Sequence, residues 1–189
     1  MKTILMEEYM KKLLITLTML LSLVGCSLSN TPTSQVEAYL DNYNNLTEDV
    51  VADLDTTVSA ENLNDENKSI YKEILTRQYK NLKYEVKDEI IDGDNATVNV
   101  QITVYDLYSV DKSSQEYMNQ NVGIFNDENN IFDNDSYNNY KLNEMLKTND
   151  TVNYDVTFNL EKKDNEWVIQ NPDRVTLEKL HGLYNYEND

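Results

Sequence analysis

Ala96-Thr97-Val98-Asn99-Val100-Gln101-Ile102-Thr103-Val104-Tyr105 is the stretch on which the fold turns. Val98, Val100, Ile102 and Val104 share one face, and Thr97, Asn99, Gln101 and Thr103 take the other. A period of two with one apolar and one polar side describes an antiparallel strand between a core and water. Upstream, Tyr84, Val86 and Asp88 lead to Ile90 and Ile91, and Asp92-Gly93 supplies the positive φ angles of a tight hairpin. A second pair follows: Val152, Tyr154, Val156, Phe158 and Leu160 alternate with polar residues, Lys162 to Asn165 makes the turn, and Glu166-Trp167-Val168-Ile169 returns before Pro172.

Before the first strand the period is helical. Val36, Tyr39, Leu40, Tyr43 and Leu46 recur at spacings of three and four behind a Thr33 or Ser34 cap. Thr47, followed by Glu48 and Asp49, opens a second helix through Val50, Val51, Leu54 and Val58. Ile70, Tyr71, Ile74, Leu75, Tyr79 and Leu82 make a third. Between the hairpins, residues 106–149 form a long polar insertion with Ile124, Phe125, Ile131, Phe132 and a helix expected over Tyr137 to Lys147. A structureless loop of that length is unusual, so part of it should pack. Three helices collected on one face of a curled antiparallel sheet predict an α+β fold shaped as a half-open cone.

The N-terminus carries a separate message. Met10-Lys11-Lys12 precedes an apolar run from Leu13 to Val24, about 12 residues, too short to span a bilayer core of about 30 Å. The run ends in Leu23-Val24-Gly25-Cys26, which resembles the bacterial lipobox. That resemblance implies a diacylglyceryl group on the Cys26 thiol and cleavage of residues 1–25 in front of it. Cys26 is the only cysteine, so an internal disulfide is excluded and the thiol is the sole acceptor. Two fatty chains, at roughly 0.8 kcal/mol per buried methylene, hold a protein durably at a membrane. The expected organisation is a signal peptide over 1–25, a lipidated Cys26 and short tether over 26–34, and a domain over 35–189 with its insertion at about 106–149. The expected location is the extracytoplasmic face of the cell membrane.

The chain carries a formal charge of −18. Three leader lysines, Lys2, Lys11 and Lys12, outnumber Glu7 and Glu8 by one, so the remainder is one unit more negative still. No Lys/Arg cluster follows the leader, which excludes nucleic acid as a partner and disfavours anionic headgroups. A charged partner is expected to be cationic.

Pro32 to Leu40, Asp92-Gly93-Asp94-Asn95-Ala96-Thr97-Val98 and Lys163-Asp164-Asn165-Glu166-Trp167-Val168-Ile169 resemble the corresponding stretches of the NTF2-like (cystatin-like) superfamily. Within it the chain is similar to small Gram-positive lipoproteins of the DUF4878 and DUF5105 kind. The resemblance implies a cone whose interior often holds a small molecule; the long insertion departs from it. Tyr84, Tyr154, Phe158 and Trp167 are the candidate ligand-facing aromatics, weighed against plain core packing.

No Gly-rich phosphate loop or G-x-S-x-G elbow is present, and no cofactor is expected. His181, the single histidine, has no partner assignable from sequence. Asp133, Asn134, Asp135 and Glu144 have part of the spacing of a calcium loop, but Tyr137 and Asn138 stand where an oxygen ligand and the turn glycine belong, so no metal site is assigned. The leading expectation is therefore a non-enzymatic binding module of the cell envelope, its partner an envelope protein or small ligand. A small-molecule binder or degenerate enzyme using the cone interior is the alternative, and a structural or stress-related envelope protein is the third reading.

Overall fold

The strand read above runs from Asn95 to Tyr105 (β2) and lies inside an antiparallel sheet of sequential order, between β1 (Lys83–Asp92) and β3 (Thr151–Lys163), with β4 (Glu166–Ile169) on the far side of β3. The computed structural model describes residues 30–188. The leader, Leu23, Val24, Gly25 and Cys26 lie outside the described residues. Around the sheet are six α-helices among the described residues: α1 (Pro32–Asn45), α2 (Glu48–Ala60), α3 (Asp65–Lys80), α4 (Leu107–Gln120), α5 (Asn134–Lys147) and α6 (Arg174–His181). The fold is α+β. None of these helices is long and apolar enough to cross a membrane.

Val98, Val100, Ile102 and Val104 are buried with Tyr154, Val156, Phe158 and Leu160 of β3, and α1 covers them with Val36 and Leu40. The opposite face is polar and cross-linked: Asn99 donates to Asp88 and accepts from Thr157, and Thr103 donates to Asn153. Both hairpin turns differ in detail from expectation. The first centres on Gly93-Asp94, with Asp92 paired to Asn95 and Gly93 alone at positive φ (+61°). The second narrows to Asp164-Asn165, both at positive φ (50° and 70°), the twist that matches flanking strands.

Other expectations need correction. The cap of α1 is Thr31, whose side chain accepts from the Ser34 amide while the Ser34 hydroxyl accepts from the Thr31 amide; residues 32–34 are thus helix rather than tether. A bulge between Val86 and Asp88 reverses the alternation of β1. Ile90 therefore lies with the polar face and is exposed, while Glu89 turns inward and accepts from the Thr33 amide (2.8 Å) and hydroxyl (2.7 Å) at the N-terminus of α1. The insertion is mostly helical: α4 adds a helix to the one expected there, and α5 starts three residues before the expected Tyr137. Ile124 and Ile131 are exposed, whereas Phe125 anchors an aromatic group with Phe132, Tyr137 and Tyr140.

The insertion helices complete a second core. Leu107, Leu142 and Met145 pack with Val50, Leu54 and Val58 of α2 and Tyr71, Ile74, Leu75 and Tyr79 of α3. The two cores meet where Gln78, 1 % exposed, donates to the Tyr105 carbonyl (3.2 Å) and accepts from the Tyr105 amide (2.9 Å). Gly182 closes α6 there at φ +73°, and a Cβ on it would stand 2.2 Å from the Tyr105 oxygen and 2.3 Å from the Gln78 amide nitrogen. Gly182→Ala should therefore cost about 3 kcal/mol, a fall in Tm of roughly 10 °C in thermal unfolding. Gly93→Ala, with nothing within 4 Å of its added carbon, should lose only about 1 kcal/mol through its backbone angle.

Candidate functional site

The sheet does bring Tyr84, Tyr154, Phe158 and Trp167 to its inner face, but there they serve as core. Phe158 is 2 % exposed and meets the edge of Tyr39 on α1 at 5.6 Å between centroids. Tyr154 is buried, and its hydroxyl donates to the Tyr184 carbonyl. Trp167 is buried with the Lys162 ammonium 5.6 Å from its ring centre. Tyr84 packs partly against the same cluster, and its hydroxyl donates to Asp41. The cleft that Phe158 helps line is only about 100 Å³, below the 300 Å³ or more of an ordinary ligand site.

Space of that order opens elsewhere, between the helices. A cleft of about 410 Å³ is lined by four stretches of chain that the second core draws together. The link from α2 to α3 supplies Glu61, Asn62 and Leu63. From α3 comes Tyr71, from α4 Asp111, and from one face of α5 Asn138, Lys141, Leu142 and Met145, at the helical spacings of three, one and three. Leu183 enters beyond the left-handed Gly182, held by its amide's bond to the Glu178 carbonyl (2.9 Å). Tyr71, Leu142 and Met145 form a buried floor, while Glu61 and Asn62 sit exposed at the rim.

Its polar groups fall into two sets. Across α4 and α5, Lys141 pairs with Asp111 at 3.1 Å, the ammonium also lying 5.8 Å from the Tyr137 ring centre. Opposite them, the Tyr71 phenol is pushed up to about 12 by burial and by the Glu61 carboxylate, so it keeps its proton at any physiological pH. Among the described residues neither the Tyr71 hydroxyl nor the Glu61 carboxylate has a hydrogen-bond or ion-pair partner. Sequence reading placed Tyr71 in the core of the third helix and did not single out Glu61, Asp111 or Lys141. The available signal was Asp106 three residues before Ser109, an N-cap with Leu107, Val110 and Ser114 at helical spacing behind it.

His181 has a partner after all. Its Nε2 lies 2.9 Å from the Tyr79 hydroxyl, and the rings are 5.9 Å apart at their centres. Desolvation lowers its pKa to about 4, against a smaller upward pull from Glu178. The neutral imidazole shares this hydrogen bond with the Tyr79 phenol, whose own proton is held by burial, the tautomer deciding which of the two donates. Asp133, on which the calcium spacing rested, caps α5 by accepting from the Asp135 and Ser136 amides, and Asn134 onward is helix rather than a ligand loop.

A histidine neutral in the fold and free to protonate when unfolded destabilises as pH falls. Its full contribution is present above about 6.5 and is lost between that value and about 4. Between pH 7 and pH 4 the protein should lose about 3 kcal/mol relative to a His181→Gln variant in denaturant titrations at each pH. Comparison with protein-family models, curated proteins and solved structures finds no match to this chain.

Proposed function

We propose that this chain is an extracytoplasmic lipoprotein, held at the cell membrane by a diacylglyceryl group on Cys26, whose NTF2-like domain works as a non-enzymatic binding module of the cell envelope. The observation that carries the reading is the placement of the only cysteine: it ends an apolar run headed by Lys11 and Lys12 and follows Leu23-Val24-Gly25. The distance along the chain supports it. Six residues from Cys26 reach Pro32, where α1 begins, and six extended residues span at most about 20 Å. The domain is then a tethered body close to the lipid surface, shielded from anionic partners by its own negative charge.

The NTF2-like assignment is supported by three helices preceding an antiparallel sheet with its apolar face covered. A binding role is favoured over catalysis by the use made of the single histidine, which is occupied with Tyr79 behind the surface. The small-ligand reading moves from the cone interior, which is packed, to the cleft between the helices.

Labelling decides the anchor. In a bacterium with lipoprotein-processing enzymes fed radioactive palmitate, the wild-type chain should carry label and sediment with membranes. Cys26→Ala should carry none, and equal labelling of the two would remove the proposal.

A further inference from the structure

We infer that the cleft between α2, α3, α4 and α5 binds a small organic cation with an apolar body, its ammonium group received between Glu61 and Tyr71. The inference rests on the reading of the domain as a binding module and adds the chemistry of what it binds. Three observations carry it.

The first is an unmet donor. Tyr71 is 8 % exposed, yet among the described residues no atom accepts its hydroxyl proton. Among the described residues the one fully buried side-chain polar atom without a partner is the Asn126 oxygen, so the Tyr71 oxygen retains access to solvent, and the cleft it lines provides that access. A phenol on the apolar floor of a cleft, with a hydroxyl still open to solvent, supplies half of a recognition site.

The second is the sign of the charge. Two carboxylates and one ammonium line the space, and the ammonium is engaged with Asp111. Glu61, which lines the same cleft as Tyr71, has no ion-pair partner among the described residues. A cation placed there gains the Glu61 charge and a lone pair of the phenol oxygen. An anion would have to displace Asp111 from Lys141, against the −18 charge of the chain.

The third is the shape of the apolar part. Leu63, Leu142, Met145 and Leu183 line the cleft together with Tyr71, and the volume of about 410 Å³ admits a six-membered ring with a two-carbon arm. The thioether of Met145 adapts to such a ring without fixing its orientation.

The test uses three probes of one shape: phenethylammonium, neutral 2-phenylethanol and anionic 3-phenylpropionate, each titrated by calorimetry into the full chain. Phenethylammonium should bind saturably at one site per chain, at least about tenfold tighter than the alcohol, with the carboxylate weakest. Glu61→Gln, at an exposed position, should weaken the cation about tenfold and leave the alcohol unchanged. Equal affinity for all three probes, saturable binding of none, or indifference of the cation to Glu61→Gln would each overturn the inference. Cys26→Ala should bind the cation as the wild type does, so a failure of the anchor leaves this result standing. Retention of an envelope partner in a pull-down by a chain that binds none of the probes would keep the binding-module reading and discard the cleft.

Discussion

The fold depends on a side chain acting as a strand. At Tyr105 the pairing of β2 with β1, whose last pair is Lys83↔Thr103, has already ended, and Gln78 of α3 supplies both halves of the missing ladder by donating to the Tyr105 carbonyl and accepting from its amide. Backbone groups left unpaired in that dry setting cost about 1–3 kcal/mol each. The same helical turn continues the work. Arg77 lays its guanidinium 3.9 Å from the Tyr105 ring centre and donates to the carbonyls of Leu146 and Thr148, which end α5. On the other side the Tyr108 amide donates to the Gly182 carbonyl. Sheet end, insertion and C-terminal helix are thereby fixed to one turn of α3, and only a residue without a side chain fits at position 182.

That junction explains why residues 106–150, between two strands, cause no disorder in the sheet. The insertion is closed at its base by the Asp106 amide donating to the Asp150 carbonyl (2.9 Å), so β2 leaves and β3 enters at the same place and pair from Tyr105↔Thr151 onward. What lies between is a helical pair whose apolar side chains have no sheet to cover. They cover α2 and α3 instead, and Tyr43 touches both cores, its ring edge-on to Tyr79 at 4.9 Å. Since α4 and α5 bring polar residues such as Asp111 and Asn138 to the margin of this second core, its closure is incomplete, and the cleft is the gap that remains.

The sheet was legible in the sequence because its signal is strict. From Thr97 to Val104 one face of β2 is all β-branched apolar and the other all polar, and a slip of one residue would bury Asn99 and Gln101. The first three helices were legible for the same reason at period 3.6. The bulge in β1 was not, because nothing in Val86-Lys87-Asp88 marks an extra residue; its effect is to bring the Glu89 carboxylate to the N-terminus of α1. In α4 the apolar stripe is interrupted by Ser114, which is buried for its small size and reads as polar. The site was missed on a deeper ground. Glu61, Tyr71, Asp111 and Lys141 stand up to 80 positions apart, and no local pattern connects them; they become neighbours only once the insertion folds onto α3.

Total charge and local charge have different parts to play in what such a surface attracts. Near 0.15 M salt the Debye length is about 8 Å, so most of the chain's excess carboxylates act on a cation only as a diffuse field that raises its local concentration. That field treats every cation alike. Discrimination requires more than that field, and the cleft offers it by joining an apolar floor of Tyr71, Leu142 and Met145 to the Glu61 carboxylate at its exposed rim. A hydrated metal ion gains little there, because one carboxylate is committed to Lys141 and a single carboxylate at the rim does not replace a hydration shell. An ammonium that carries its own apolar surface gains both the charge and the burial, at roughly 25 cal/mol per Å² of apolar area removed from water. The combination, rather than acidity alone, is what makes the helical cleft selective where the rest of the surface is merely negative.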